Sequence, residues 1–160
     1  VHGKPDLYIQ DLAVPCGRLS DVTARLSAVF RRHGTEGTWD PQASVGTLHE
    51  RASLDMRRDG AIKMRAIAEE ASVMVREYKG AYSGENGDGL CRGEWIAWQF
   101  GPRLNTAFGE IKALFDPDNR MNPGKIVAPH RMDASSLFRF GPGYRPVALQ
   151  RDRDWWSWKY

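Results

Sequence analysis

Two amphipathic helical segments separated by short extended segments constrain the fold of this chain more than any other feature. The first helix is predicted over residues 21–33, with Ser20 as its N-cap and Gly34 as its C-terminal stop. The second is predicted over residues 59–79 and ends at Gly80. Apolar residues recur at helical spacing on one side of each: Val22, Leu26, Val29 and Phe30 in the first, and Ile62, Ala66, Ile67, Val73, Met74 and Tyr78 in the second.

Four short extended segments flank these helices. They are predicted over residues 7–14, 37–42, 45–51 and 81–83. The order β-α-β-β-α-β predicts an α+β fold of the ferredoxin-like type, in which an antiparallel sheet carries two helices on one face. Further helices are predicted over residues 94–100 and from Pro102 onward, followed by an irregular, aromatic-rich tail.

Composition restricts the class of protein. A chain of 160 residues with 41% hydrophobic and 27% charged residues is typical of one folded domain. Neither a transmembrane segment nor a signal peptide is predicted. The two cysteines have neither metal-ligand spacing nor a disulfide pattern, which favours a reducing, cytoplasmic location. The net charge of +3 is mild, and the third strand lacks the aromatic residues of an RNA recognition motif, so no nucleic-acid partner is expected.

The segment from Gly80 to Arg92 contains four glycines and one glutamate, Glu85, directly after the last predicted strand. Glycine allows backbone conformations and close approaches that a side chain would prevent. Such a segment is either an ordinary turn or a place where a carboxylate meets a ligand, and its composition alone leaves both readings open.

A second candidate group lies on the third predicted strand. His49 and Arg51 share one face of that strand, because side chains alternate with a period of two. His49 would approach Glu85 if the glycine segment folds back over the sheet. An imidazole beside a guanidinium suits a substrate carboxylate, whereas two ligands are too few for a zinc site. A structural histidine and a surface arginine remain the alternatives.

Two longer motifs resemble the C-terminal part of the FAD-linked oxidase family. The family pattern S-G-E-H-G-x-G is matched by residues 83–89, and D-P-x-x-x-x-N-P-G-K is matched without a gap by residues 116–125. Residues 11–15 resemble the strand that opens the half-domain, so the resemblance covers roughly residues 7–127. The sequences of residues 120–125 and 140–144 are most similar to those of large family members that carry an added iron–sulfur region.

The resemblance implies that this chain is the substrate-side cap domain of a flavin-dependent enzyme. Members oxidise a small 2-hydroxy acid of the lactate, glycolate or 2-hydroxyglutarate type, with FAD held mainly by another domain. Many hold a divalent metal with two histidines and a glutamate. Carried over by position, this gives His49 and Glu85 as metal ligands, Arg51 and His49 as substrate-binding residues, and Asn122 and Lys125 as residues near the cofactor.

This sequence departs from the pattern at two positions. Gln42 replaces the first histidine of the metal site, and Asn86 replaces the acid/base histidine after Glu85. A neutral amide is a weak zinc ligand and cannot act as a general base, so a divalent metal is doubtful.

Two hypotheses follow. Residues 1–127 are the cap domain of a flavin-dependent 2-hydroxy-acid oxidoreductase, with residues 128–160 as a tail, and the FAD-binding domain of the same or another chain is the partner. Alone, this chain is then expected to be inactive. Alternatively, the chain is a stand-alone, degenerate cap-like module that binds a ligand or partner without catalysis.

Overall fold

The computed structural model describes residues 4–6, 11–138 and 145. Within these described residues, four strands and four helices follow one another. In order they are β1 (Lys4–Asp6), β2 (Leu12–Ala13), α1 (Leu19–Arg32), β3 (Gly37–Gln42), β4 (Thr47–Leu54), α2 (Gly60–Glu77), α3 (Gly89–Arg92) and α4 (Ile96–Phe115), with single 3₁₀ turns at Cys16–Arg18, Gly93–Trp95 and Ser135–Leu137.

Strand β4 is the centre of an antiparallel sheet. It pairs with β3 along one edge, and with β1 and β2 in succession along the other. Ala81 then pairs with Ala13 of β2 through an isolated antiparallel bridge. The spatial order β3, β4, β2, residue 81 is that of a ferredoxin-like sheet, so the α+β prediction is confirmed.

The core lies between the sheet and helices α1 and α2. Leu48, Ala52 and Leu54 point from β4 into this core, and each is no more than 3% exposed. The odd-numbered residues of β4 face the opposite side of the sheet because the strand period is two. His49 and Arg51 therefore lie on the face away from the helices.

Several predicted boundaries differ from the structure. Helix α1 begins at Leu19 with Arg18 in the N-cap position, so the prediction that Ser20 caps it is wrong. The strand predicted over 45–51 extends to Leu54, because its pairing with β1 continues to that residue. The predicted fourth strand consists of the single bridge at Ala81. Of the first predicted strand, residues 7–10 lie outside the described residues.

Helix α4 is interrupted at Gly101, which has φ 79° and is followed by Pro102. This confirms the predicted break between two helical segments. The apolar side of the second segment does not pack into the core: among the described residues, the large exposed apolar side chains of this region are Phe100, Leu104, Ile111, Leu114 and Phe115. None of the described helices has the length and hydropathy needed to span a bilayer.

Residues 128–138 cannot be separated cleanly from the domain. Met132 is 4% exposed in the core, and its N–H donates to a Glu94 carboxylate oxygen at 2.5 Å. Phe138 packs against the same core. The aromatic-rich end of the predicted tail lies outside the described residues, so a domain boundary at residue 127 stays a prediction.

Candidate functional site

Gln42, His49 and Glu85 come together on the open face of the sheet. The Gln42 amide nitrogen lies 3.0 Å from His49 Nε2 and 3.3 Å from Glu85 Oε2. His49 Nε2 and Glu85 Oε2 are 3.7 Å apart. The histidine is 8% exposed, whereas the glutamate side chain is 35% exposed. The site therefore has a buried imidazole with a carboxylate at its solvent-facing edge.

The β3–β4 hairpin places the first two of these residues. Its register aligns Gln42 with Thr47, which sets the glutamine diagonally across from His49. Gly46 in the turn has φ +73°, and a Cβ there would lie 2.0 Å from the Val14 carbonyl oxygen. Only glycine permits both this backbone conformation and this close contact.

The glycine-rich segment over residues 80–92, called the glycine turn below, brings Glu85 next to the β3–β4 hairpin. The Gly84 N–H donates to the Asp11 carbonyl oxygen at 2.7 Å, and a Cβ on Gly84 would meet the Ala13 Cβ at 2.8 Å. The turn thus lies directly against the end of β2. Because β2 pairs with β4, the contact fixes Glu85 next to the strand that carries His49.

A fully buried carboxylate, Asp11, holds this turn. Its Oδ1 accepts the N–H of Glu85 at 2.8 Å, and its Oδ2 accepts the N–H of Asn86 at 2.7 Å and the Ser83 hydroxyl at 3.2 Å. Arg92 Nη1 lies 3.6 Å from Oδ2, and Arg92 Nη2 donates to the Gly87 carbonyl oxygen at 2.9 Å. Asp11 and Arg92 therefore hold the glycine turn together from beneath.

Sequence reasoning missed Asp11 and Arg92 as parts of the site. Asp11 has φ +83°, which is unusual for a residue other than glycine, asparagine or aspartate. An acidic residue at the beginning of a strand gives no signal that its carboxylate will accept main-chain N–H groups from residues more than 70 positions away. The glycine turn itself supplied the only clue, since its orphan N–H groups need an acceptor.

Two other predicted site residues, Arg51 and Asn86, differ in how they relate to the cluster of Gln42, His49 and Glu85. Arg51 is exposed on the same face as His49, and no hydrogen bond or ion pair engages its side chain within the described part of the chain. Asn86 contributes its main chain to the turn: its N–H donates to Asp11, and its carbonyl oxygen accepts the Ser83 hydroxyl at 2.6 Å. Its side chain is exposed.

Asn122 and Lys125 lie in a separate turn after α4. Lys125 Nζ donates to Asn122 Oδ1 at 3.3 Å, and Asn122 has φ 48°. Asp116 holds the start of this turn by accepting the N–H groups of Arg120 at 2.9 Å and Met121 at 2.8 Å. Among the described residues, no hydrogen bond or ion pair joins Asn122 or Lys125 to the cluster, so their predicted role beside a cofactor stays a prediction.

A groove of about 550 Å³ lies between α1 and α2, away from this cluster. Its apolar floor includes Val29, Val73 and Met74, and its rims carry the ion pairs Arg25–Glu77 and Arg32–Glu70. The groove is open, and the arginines on its rims are already paired with glutamates. It offers no convergent polar groups comparable with those of the cluster.

Comparison with known proteins gives a consistent result. The family model for FAD linked oxidases, C-terminal domain, matches residues 1–126. D-2-hydroxyglutarate dehydrogenase of Escherichia coli (strain K12) is 36% identical over 135 residues, covering 84% of this chain and 13% of that protein. The enzyme of the same name from Pantoea ananatis is 32% identical over 159 residues, covering 96% of this chain and 16% of that protein.

A shorter relative matches the same region. Glycolate oxidase subunit GlcD of Bacillus subtilis (strain 168) is 25% identical over 126 residues, covering 78% of this chain and 27% of that subunit. The chain therefore spans between about an eighth and a quarter of the length of these relatives.

Proposed function

We propose that this chain, which belongs to the FAD linked oxidases through their C-terminal domain, forms the substrate-side part of a flavin-dependent oxidoreductase acting on a 2-hydroxy acid. The observation that carries the proposal is the meeting of Gln42, His49 and Glu85 on the open face of the sheet, beside the exposed Arg51. Relatives named for D-2-hydroxyglutarate and glycolate make a 2-hydroxy acid the substrate class to test.

Arg51 is assigned to the substrate carboxylate. A guanidinium presents paired N–H donors that match the two oxygens of a carboxylate. Within the described residues its side chain has no competing acidic partner, in contrast to Arg25, Arg32 and Arg65, which are ion-paired. This leaves its donors available to a ligand on the face that carries His49.

His49 is assigned to the substrate hydroxyl. Oxidation of a 2-hydroxy acid removes a hydride from carbon 2 and a proton from the hydroxyl oxygen, leaving a 2-oxo acid. FAD, held by its own domain, would supply the hydride acceptor. Asn86 cannot take the proton because its amide has no basic nitrogen, whereas His49 has one in Nε2, which would take the proton once the substrate hydroxyl replaces the Gln42 amide as its hydrogen-bond donor.

The exposed face of α4 supports a protein partner for this chain. Leu104, Ile111, Leu114 and Phe115 are between 47% and 76% exposed on one short helical segment. Apolar side chains grouped in this way mark a contact surface. We assign this face, together with the turn that carries Asn122 and Lys125, to contact with a FAD-binding domain. The cytoplasmic location expected from cysteine usage stays a prediction.

A non-catalytic ligand-binding module is the second candidate. It is favoured by Gln42 and Asn86, because both replace groups that the family resemblance assigns to metal binding and proton transfer. This candidate keeps the role of Arg51 in binding a carboxylate but predicts no electron transfer to a flavin.

Replacement of Arg51 with alanine tests the proposed function in the chain together with the FAD-binding domain proposed as its partner. We expect KM for the 2-hydroxy acid to rise roughly 10- to 100-fold, because a charge-assisted hydrogen bond to a carboxylate contributes about 1.5–3 kcal/mol. The matched control is Arg58→Ala, since Arg58 is 84% exposed and pairs only with Asp55 among the described residues. An unchanged KM in Arg51→Ala would contradict the assignment.

A further inference from the structure

The divalent metal implied by the family resemblance does not fit this cluster. The Gln42 amide nitrogen lies within 3.3 Å of both His49 Nε2 and Glu85 Oε2, the two atoms that a cation would bridge. An amide group has two N–H donors, and here two acceptors lie within reach of them. A flipped amide would instead direct its oxygen at the Glu85 carboxylate, which is repulsive.

Asp11 does not replace the histidine ligand that is missing at position 42. Asp11, His49 and Glu85 each offer one ligand atom within 4.8 Å of the others, which makes them the alternative set to consider. However, the Asp11 carboxylate already accepts two main-chain N–H groups and the Ser83 hydroxyl, and it lies 3.6 Å from Arg92 Nη1. A cation on Asp11 would have to displace these donors and lie beside a guanidinium.

We propose that the Gln42 amide takes the structural place of a divalent cation, so that the site is assembled without metal. The amide donates one hydrogen to His49 Nε2 and the other to Glu85. In this arrangement Nε2 is the acceptor and the ring proton is on Nδ1, which has no hydrogen-bond partner among the described residues. The inference concerns the same site as the proposed function, but it depends only on the geometry of the cluster.

One consequence is that a single substitution should create a metal site. Gln42→His would place a second imidazole beside His49 and Glu85, which gives the two-histidine, one-carboxylate set that suits divalent transition metals. The metal should then bind through all three side chains, and loss of any one should weaken it.

The test is titration of the full 160-residue chain with Co²⁺, followed by its visible absorption, and with Zn²⁺ by calorimetry. We expect Gln42→His to bind both ions at least 100-fold more tightly than the unmodified chain, and His49→Ala in that background to abolish the gain. Ser53→His is the matched control, because Ser53 is exposed on the same face of β4 as His49 but about 13 Å along the strand. It should gain nothing.

Two results would overturn the inference. The first is sub-micromolar binding of Zn²⁺ or Mn²⁺ by the unmodified chain that is lost in His49→Ala. The second is a correctly folded Gln42→His variant, judged by its circular dichroism and thermal transition, that gains no affinity.

The tautomer of His49 gives an independent measurement on the unmodified chain. Nitrogen-15 NMR should show Nε2 unprotonated and Nδ1 protonated, and Gln42→Leu should shift the Nε2 resonance. Protonated Nε2 in the unmodified chain would overturn the inference even if no metal binds. Because neither measurement uses a substrate or a flavin, their outcome is separate from that of the proposed function.

Discussion

Asp11→Ala is expected to lower the free energy of unfolding by about 3–5 kcal/mol, the range found when one partner of a buried ion pair is removed. Asp11 is fully buried, and its carboxylate accepts the N–H groups of Glu85 and Asn86 while it faces Arg92. Without it, two main-chain donors lose their acceptor and the guanidinium of Arg92, 7% exposed, loses a buried counter-charge. The glycine turn should detach from β2.

Chemical denaturation followed by circular dichroism measures this loss, and amide hydrogen exchange locates it. The amides of Glu85 and Asn86 should lose protection in Asp11→Ala more than those of α1. Asp40→Ala is the matched control, because Asp40 is exposed on β3 and should change stability by no more than about 0.5 kcal/mol. A loss below 1 kcal/mol in Asp11→Ala would show that the turn does not depend on this carboxylate.

The second large effect is a pH dependence of the free energy of unfolding that arises from Glu50. Glu50 is 1% exposed on the core side of β4, and neither of its carboxylate oxygens has a hydrogen-bond partner among the described residues. Burial raises the pKa of Glu50 well above its ordinary value of 4.5, and the charge of Arg92 only partly opposes this. The folded chain therefore keeps the proton on Glu50 to a higher pH than the unfolded chain does.

The sign of the pH dependence follows from this difference. Between the unfolded and folded pKa values the folded state binds more protons, so stability falls as pH rises, by up to about 1.4 kcal/mol per pH unit for one group. Below the pKa that Glu50 has in the unfolded chain, its carboxyl is neutral in both states and causes no loss of stability. Glu50→Leu, which cannot ionise, should be more stable than the unmodified chain at neutral pH.

Free energies of unfolding measured from pH 4 to 8 test this prediction. The unmodified chain should lose stability with rising pH relative to both Glu50→Gln and Glu50→Leu. Glu110→Gln, at an exposed position on α4, is the control and should follow the unmodified chain. If the curves for the unmodified chain and Glu50→Gln run parallel over this range, the Glu50 carboxyl does not hold a proton in the folded state.

The element order was predictable because each helix carries its own periodic signal. Val22, Leu26, Val29 and Phe30 recur at helical spacing, and all four are buried in the structure. The ends of the helices and strands were less predictable. Ser20 has the chemistry of an N-cap but lies inside α1, which begins at Leu19 directly after a 3₁₀ turn.

The cluster itself was only partly predictable. His49 and Arg51 follow from strand alternation, and the glycine turn signals that Glu85 stands at a bend. The contact between Gln42 and the other two depends on hairpin register and on a turn held by Asp11, which is distant in sequence. Long-range hydrogen bonds of this kind leave no periodic signal.

Helix α4 shows the opposite case, in which a correct periodic pattern led to an incomplete conclusion. Leu104, Ile111 and Leu114 predict a helix with an apolar side, and the helix is present. Periodicity does not identify the surface that covers that side, and these residues are exposed in the described part of the chain. Our proposal assigns them to a FAD-binding domain.

Anaerobic reduction of the flavin tests the central proposal most directly. The chain, together with the FAD-binding domain proposed as its partner, is mixed with D-lactate, glycolate or D-2-hydroxyglutarate, and flavin absorbance near 450 nm is followed. We predict bleaching by a 2-hydroxy acid, none by the matching acid without the hydroxyl, and slower bleaching in His49→Ala. If no 2-hydroxy acid reduces the bound flavin, or if His49→Ala and Arg51→Ala leave the reduction unchanged, the account of this site is contradicted.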